Sequence, residues 1–148
     1  MYPNHTTRFV TDDLLARGLS ALLKEATHRQ FWTLFLDRAD HLLEPIMPMD
    51  EHPESPHEIV QTHEADGERS WPVASVLASR MAWVAKTVGA ASVVFVWERT
   101  GGEKFEQYEL EWARAMHHEF AELGGVRIRA QFLLHDAGVR QLTQDDFA

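Results

Sequence analysis

The stretch from residue 91 to residue 134, ASVVFVWERTGGEKFEQYELEWARAMHHEFAELGGVRIRAQFLL, decides the fold class of this chain. It opens with a nearly unbroken apolar run, 91–97, which is typical of a strand covered on both faces. Apolar residues then recur at helical spacing over 105–123, and Gly124-Gly125 predict the end of that helix. Apolar and polar residues alternate over 126–134, which indicates a strand with one face in water. A strand, a helix and a strand in this order predict parallel neighbours joined by a right-handed crossover.

The chain before this stretch has the pattern of two helices and a hairpin. Leucines at helical spacing predict a helix from Thr11 to Arg29, with Thr11 as its N-cap. A second apolar stripe predicts a helix from Ser70 to Val88. Between them, 31–37 and 41–47 resemble two strands of a hairpin. Because Pro45 and Pro48 lack amide donors, the second strand should be short, at a sheet edge, or bulged. The predicted order is αββαβαβ, an α/β fold with a mixed sheet and helices on both faces.

Length and composition predict a single globular domain over residues 1–148. Hydrophobic residues make up 45% of the chain and charged residues 25%, and the formal net charge is −9. The absence of cysteine excludes disulfides, thiolate metal sites and thiol nucleophiles. The negative charge argues against nucleic acid as a partner, and no apolar run is long enough to predict a membrane span. Because Met1–Arg8 lacks the apolar core of a signal peptide, we expect a cytoplasmic protein.

The segment 50–69 differs in composition from the rest of the chain. It carries seven acidic residues against one arginine, with three histidines and two prolines. We expect an exposed, acidic, histidine-rich loop of about 20 residues, a length that is usually functional or disordered. His57 and His63 are six residues apart, so they do not form the H-E-x-x-H pair of a zinc protease. A solvated loop and weak metal binding by its histidines, including His52, are the two interpretations.

The order and register of elements from Arg29 to Leu142 resemble the RadC branch of the JAB/MPN (JAMM) metalloprotease-like domains. The resemblance includes Phe35-Leu-Asp37 and its turn, the helix that begins near Pro72, and the strand 91–97. It places Gly101 on the glycine of the family signature H-x-H-P-x-G-x-x-x-x-S-x-x-D. The resemblance implies a deaminase-like three-layer α/β sandwich with a zinc site.

The metal signature departs from that family at its ligand positions. The residues at the two histidines, the proline, the serine and the aspartate of the signature are, in this order, Val96, Glu98, Arg99, Glu106 and Glu109. The upstream catalytic glutamate falls near Ile46, with Glu44 two residues away. A zinc hydrolase needs three protein ligands and an open position for water, and valine cannot ligate a metal. The resemblance therefore implies a pseudoenzyme that has lost its metal and uses no cofactor.

Several polar residues near the end of the strand 91–97 are nevertheless candidates for a site. The candidate catalytic residues are Glu98, Glu106, Glu109 and His135, and the candidate binding residues are Arg99 and Gly101. The ends of strands in α/β sheets are common places for sites, and arginine binds anions as a fork of donors. The alternative is structural, because carboxylates favour a helix N-terminus and Arg99 can pair with one of them. His135 and Asp136 are adjacent on a strand and therefore face opposite ways.

Two further features each permit two interpretations. His117 and His118 lie beside glutamates on the helix 105–123, which indicates a surface ion-pair network or a pH-sensitive dimer contact. Trp83 lies off the apolar stripe of its helix, which is typical of an interface or of partial burial.

Two functions follow from these patterns. The first is a non-catalytic RadC/JAB-like module that binds a protein partner or a second copy of itself. The alternative is a metal-dependent hydrolase with a rebuilt carboxylate and histidine site. In that case oxygen ligands such as Glu98 and Glu109 would favour magnesium, manganese or calcium over zinc. A salt-bridged, filled site would support the module, and an open carboxylate and histidine pocket would support the enzyme.

Overall fold

A computed structural model describes residue 4 and residues 6–148, so the expectation for Met1–Arg8 lies partly outside the described residues. The strands are β1 (Gln30–Leu36), β2 (Leu42–Asp50), β3 (Ile59–Glu64), β4 (Gly67–Pro72), β5 (Ser92–Glu98), β6 (Arg127–His135) and β7 (Gly138–Leu142). The helices are α1 (Asp12–Leu23), α2 (Val73–Val88), α3 (Gln107–Leu123) and α4 (Gln144–Phe147). This mixture of helices and strands confirms the α/β class. No helix in the described part of the chain is long and apolar enough to cross a membrane.

The main sheet has five strands in the order β2-β1-β5-β6-β7. Strands β5 and β6 run parallel and α3 connects them, as the strand, helix and strand pattern predicts. The neighbouring pairs β1–β2, β1–β5 and β6–β7 are antiparallel, so the sheet is mixed. Strand β2, which contains Pro45 and Pro48, lies at one edge of the sheet, and its register with β1 shifts between Thr33 and Phe35.

Helices cover both faces of this sheet, and the residues of β5 alternate between the two cores. Val93, Phe95 and Trp97 pack with α2 and α3 on one face. Val94 and Val96 pack with α1 on the other face. Every residue of β5 is buried, as predicted for a strand covered on both sides. Each such apolar side chain contributes roughly 1.5–3 kcal/mol to folding by leaving water.

Both upstream helices are shorter than the sequence predicts. Helix α1 has the predicted N-cap, Thr11, whose side chain accepts from the N–H of Leu14, but it ends at Leu23 instead of Arg29. Lys24 takes a left-handed φ of 61° there, and its N–H bonds the carbonyl of Ser20. Helix α2 begins at Val73 because the residues just before it belong to strand β4.

The segment 50–69 is not the loop expected from its composition. It contains the end of β2 and most of an antiparallel hairpin formed by β3 and β4. Ile59-Val60 supplies strand formers, and Ala65-Asp66 form the two-residue turn, after which Gly67 opens β4 with a φ of 123°. The predicted order αββαβαβ therefore gains this hairpin and, after β6, the elements β7 and α4.

Strand β6 departs from the expected pattern of one buried and one wet face. Arg127 is exposed as predicted, but Gln131 is buried although it was expected in water. Its side-chain amide donates to the carbonyl of Ala113 in α3 at 3.0 Å and accepts from Trp97 Nε1 at 3.0 Å. A polar side chain is tolerated in this position because both ends of its amide are bonded.

Candidate functional site

Glu98 ends strand β5 as a buried carboxylate that holds the segment between α1 and β1. Its Oε2 accepts from the N–H of Thr27 at 2.7 Å, the Thr27 hydroxyl at 3.1 Å and the N–H of His28 at 3.3 Å. Its Oε1 accepts from Gln30 Nε2 at 3.0 Å and Trp32 Nε1 at 2.8 Å. Burial raises the pKa of Glu98, but these hydrogen bonds outweigh burial and the pKa lies below its ordinary value. Both oxygens of this candidate catalytic group are therefore used by the fold.

Arg99 and Glu109 form a buried ion pair on the side of the sheet that α3 covers. Arg99 Nε lies 2.9 Å from Glu109 Oε2, and Nη2 donates to Oε1 at 3.3 Å. The guanidinium also donates to the carbonyls of Gly102 at 2.7 Å and Lys104 at 2.6 Å. Gly101 has a φ of 114°, and a Cβ there would lie 3.1 Å from Arg99 Nη1. Arg99 therefore closes the loop between β5 and α3 instead of presenting a fork to solvent.

Glu106 and Glu109 cap the first turn of α3. Glu106 is the N-cap and its side chain accepts from the backbone of Glu109, while Glu109 Oε1 accepts from the N–H of Glu106 at 2.8 Å. This reciprocal arrangement satisfies N–H groups that a helix start leaves without partners. These two carboxylates therefore stabilise the N-terminus of the helix, which is the structural alternative to a catalytic role.

His135 and Gly101 meet at a small cavity of about 220 Å³. His135 is buried, and its Nδ1 accepts from the N–H of Ala137 at 3.2 Å. Asp136, the next residue, is exposed. The structure thus brings one candidate catalytic residue beside one candidate binding residue, and Gly101 also lines a second cavity of about 400 Å³ together with Arg99 and Glu106.

The sheet separates the two carboxylates considered as alternative metal ligands. Glu98 points to the α1 face, where it bonds Trp32, and Glu109 lies on the α3 face with Arg99. The zinc ion that the RadC/JAB resemblance implies does not fit these side chains. Val96 is apolar, Glu98 has five hydrogen bonds from protein donors, and Glu109 is neutralised by an arginine. In the described part of the chain, no three or more His, Asp and Glu side chains are grouped as metal ligands.

His52 is the residue that sequence reasoning misplaced. It was expected in the exposed acidic segment, yet it is only 4% exposed. Its ring centroid lies 5.2 Å from that of Phe31, 5.8 Å from Trp97 and 5.6 Å from Trp112. Neither ring nitrogen has a hydrogen-bond partner among the described residues. Burial, with a smaller effect of Arg29, lowers the pKa of His52 to about 4, so the ring is neutral near pH 7.

Arg29 and Tyr108 border the same region. The Arg29 guanidinium lies 5.2 Å from the centre of the Tyr108 ring, a cation–π contact. Burial raises the pKa of Tyr108, and the charge of Glu109 raises it further. Arg29 Nε and Nη2 are buried without a hydrogen-bond partner among the described atoms. Nothing in the composition distinguishes His52 from His57 and His63, so only the packing reveals this cluster.

The remaining candidates lie apart from one another. His57 is exposed, and His63 is an exposed partner of Glu68 at 3.4 Å. The His117 ring lies 5.7 Å from that of Phe147. Trp83 is 68% exposed on the outer side of α2, which confirms that it is off the apolar stripe.

Comparison with known protein families and with curated proteins identifies no family for this chain. No protein-family model matches the chain, and no curated protein matches it either.

Proposed function

We propose that this chain is a non-catalytic module, similar to a RadC/JAB domain that has lost its metal site, and that it works by binding a protein or a second copy of itself. The proposal rests on one observation: the candidate site residues Glu98, Arg99 and Glu109 bond to other groups of the same chain. Glu98 holds the segment before β1, and Arg99 and Glu109 neutralise each other while they order the loop before α3. Side chains committed to the fold in this way are not free to bind and turn over a substrate.

The surface supports binding as the mode of action. Five large apolar side chains of the described residues are exposed, among them Trp83 at 68%, Ile59 at 61% and Trp71 at 39%. Tryptophan contributes strongly to protein interfaces because its large ring is buried when a partner binds. These three residues lie on α2 and on the β3–β4 hairpin, outside the two cores of the main sheet.

The experiment that tests this proposal is the metal content of untagged protein by elemental mass spectrometry. The protein is purified without chelator and measured again after loading with zinc or manganese. Wild type is compared with Glu109→Gln and with Glu103→Gln, an exposed carboxylate in the adjacent loop. We expect sub-stoichiometric metal in all three proteins.

Stoichiometric metal in wild type and in Glu103→Gln, lost from a folded Glu109→Gln, would overturn the proposal. It would instead support a metal-dependent hydrolase with a rebuilt carboxylate and histidine site. Circular dichroism of the variant shows whether the loss of metal is separate from a loss of fold.

A further inference from the structure

A groove of about 660 Å³ lies beside the first half of strand β6. Its floor includes apolar side chains such as Phe120, Leu142 and Phe147. The ionisable residues that line it are Arg127, Arg129 and His117, and no Asp or Glu of the described chain does so. This is unusual in a protein with 23 acidic and 14 basic residues, and it predicts an anionic occupant.

The groove also borders an unpaired part of the sheet edge. Strand β7 pairs only with residues 131–135 of β6, so no strand of the described chain covers residues 127–130 on that side. The opposite edge is different, because Pro45 and Pro48 of β2 lack amide donors. An uncovered edge without proline can accept a further strand through its main-chain groups.

The charges along this edge decide which kind of strand it accepts. Arg129 is paired with Asp12, but Arg127 is exposed and makes no ion pair within the described part of the chain. The Lys86 ammonium lies near Gly125 at the rim, 3.8 Å from where a Cβ on that glycine would be. Two such basic edges repel each other, which disfavours symmetric pairing of β6 with β6. An acidic strand is attracted instead.

The chain itself carries an acidic pair of strands with uncovered edges. The hairpin of β3 and β4 forms a separate two-stranded sheet, and it holds Glu64, Asp66 and Glu68 against Arg69. These side chains pair with one another and with His63 only as exposed ion pairs, which are weak and readily exchanged. The hairpin is therefore complementary in charge to the groove.

A hairpin cannot reach the groove of its own chain. It leads directly into the N-terminus of α2, whereas Ala91, which lines the groove, follows the C-terminus of α2. A helix of 16 residues is about 24 Å long, so hairpin and groove are separated by the length of α2. A second copy can supply the hairpin.

We propose that the β3–β4 hairpin of a second copy docks in this groove, extends the sheet at residues 127–130 of β6 and places its carboxylates on Arg127. The inference rests on the proposed function, since it names the partner and the surface of a self-associating module. The contact joins two different surfaces, so it runs from the hairpin end of one copy to the groove end of the next.

Sedimentation velocity of the full chain at low ionic strength, over a range of concentrations, tests the docking. We expect wild type to self-associate, and Arg127→Glu and Glu68→Lys each to weaken association by about tenfold or more, because each puts like charges together. Mixing the two variants should restore association, since the basic groove of one then meets the acidic hairpin of the other. Arg38→Glu is the control, because Arg38 is exposed in the turn between β1 and β2, at the opposite edge of the sheet from the groove.

Wild type that sediments as a monomer at every concentration would overturn the inference. So would association that Arg127→Glu leaves unchanged, or a mixture that associates no better than either variant alone. These failures are distinct from a failure of the proposed function, which stoichiometric metal would reveal. A monomeric protein without metal would refute only the docking.

Discussion

Replacement of His52 by leucine tests whether an ionisable ring is built into the core without a partner. The ring is enclosed by Phe31, Trp97 and Trp112, and both of its nitrogens lack hydrogen bonds within the described chain. The positive charge of Arg29 also lowers the pKa of this ring, by less than burial does. Leucine has a similar size but does not titrate, so the variant removes the proton equilibrium and keeps most of the packing.

The magnitude follows from the pKa of His52, which burial lowers from 6.5 to about 4. A difference of one unit between the pKa values of this ring in the folded and unfolded states corresponds to about 1.4 kcal/mol of stability. Above pH 6.5 both states are neutral at this ring and its contribution to stability is fully present. As the pH falls from 6.5 to about 4, the unfolded chain takes up a proton that the folded chain resists, and wild type loses about 3 kcal/mol.

Urea unfolding of wild type and His52→Leu at several pH values between about 7 and about 4 measures this effect. We expect the difference in unfolding free energy to shift in favour of the variant by about 3 kcal/mol over that range. His63→Leu is the matched control, because it makes the same substitution at an exposed ring outside the core. Parallel pH curves for wild type and His52→Leu would refute the burial of a neutral ring at this position.

Three further predictions concern other parts of the chain. Asp50→Asn should lower the pKa of His28, which the 2.9 Å hydrogen bond to Asp50 holds above its ordinary value, and an unchanged ring titration by NMR would contradict this contact. Because the pKa of His28 is raised in the folded state, protonated His28 stabilises the fold at low pH. This contribution is lost as the pH rises through its folded pKa. Gly18→Ala should destabilise the protein by about 1–3 kcal/mol in urea unfolding, because the new Cβ would lie 2.9 Å from Phe9 Cζ, and a gain in stability would contradict that packing. Trp83→Ser should change the unfolding free energy by less than about 0.5 kcal/mol because the ring is 68% exposed, and a larger loss would show that the ring is packed.

The elements that the sequence predicts correctly are those with strong local patterns. The apolar run of β5, the stripe of α3 and the glycine stop at Gly124 each act within one element, so the parallel β5–β6 unit follows from them. The β3–β4 hairpin is missed because its high charge hides the strand formers at Ile59-Val60. Helix α1 is predicted too long because the contact that fixes the chain after it comes from Glu98, which is 71 residues away from Thr27.

The candidate site shows the same division. A role for Glu106 and Glu109 at the start of a helix follows from their spacing, and so does a carboxylate partner for Arg99. The burial of His52 has no local signal, because the rings around it come from β1, β5 and α3. The position of Glu98 and Glu109 on opposite faces of the sheet likewise has no local signal, because the faces exist only once the strands have assembled.

The stability of Glu98→Gln tests most directly the claim that the candidate site is part of the fold. The amide keeps the size of the side chain but removes its charge and turns an NH₂ group toward donors that now lack an acceptor. We expect a loss of about 2–4 kcal/mol in urea unfolding, with no effect of the exposed control Glu103→Gln. An unchanged unfolding free energy for Glu98→Gln, together with the loss of a bound metal ion, would contradict the account.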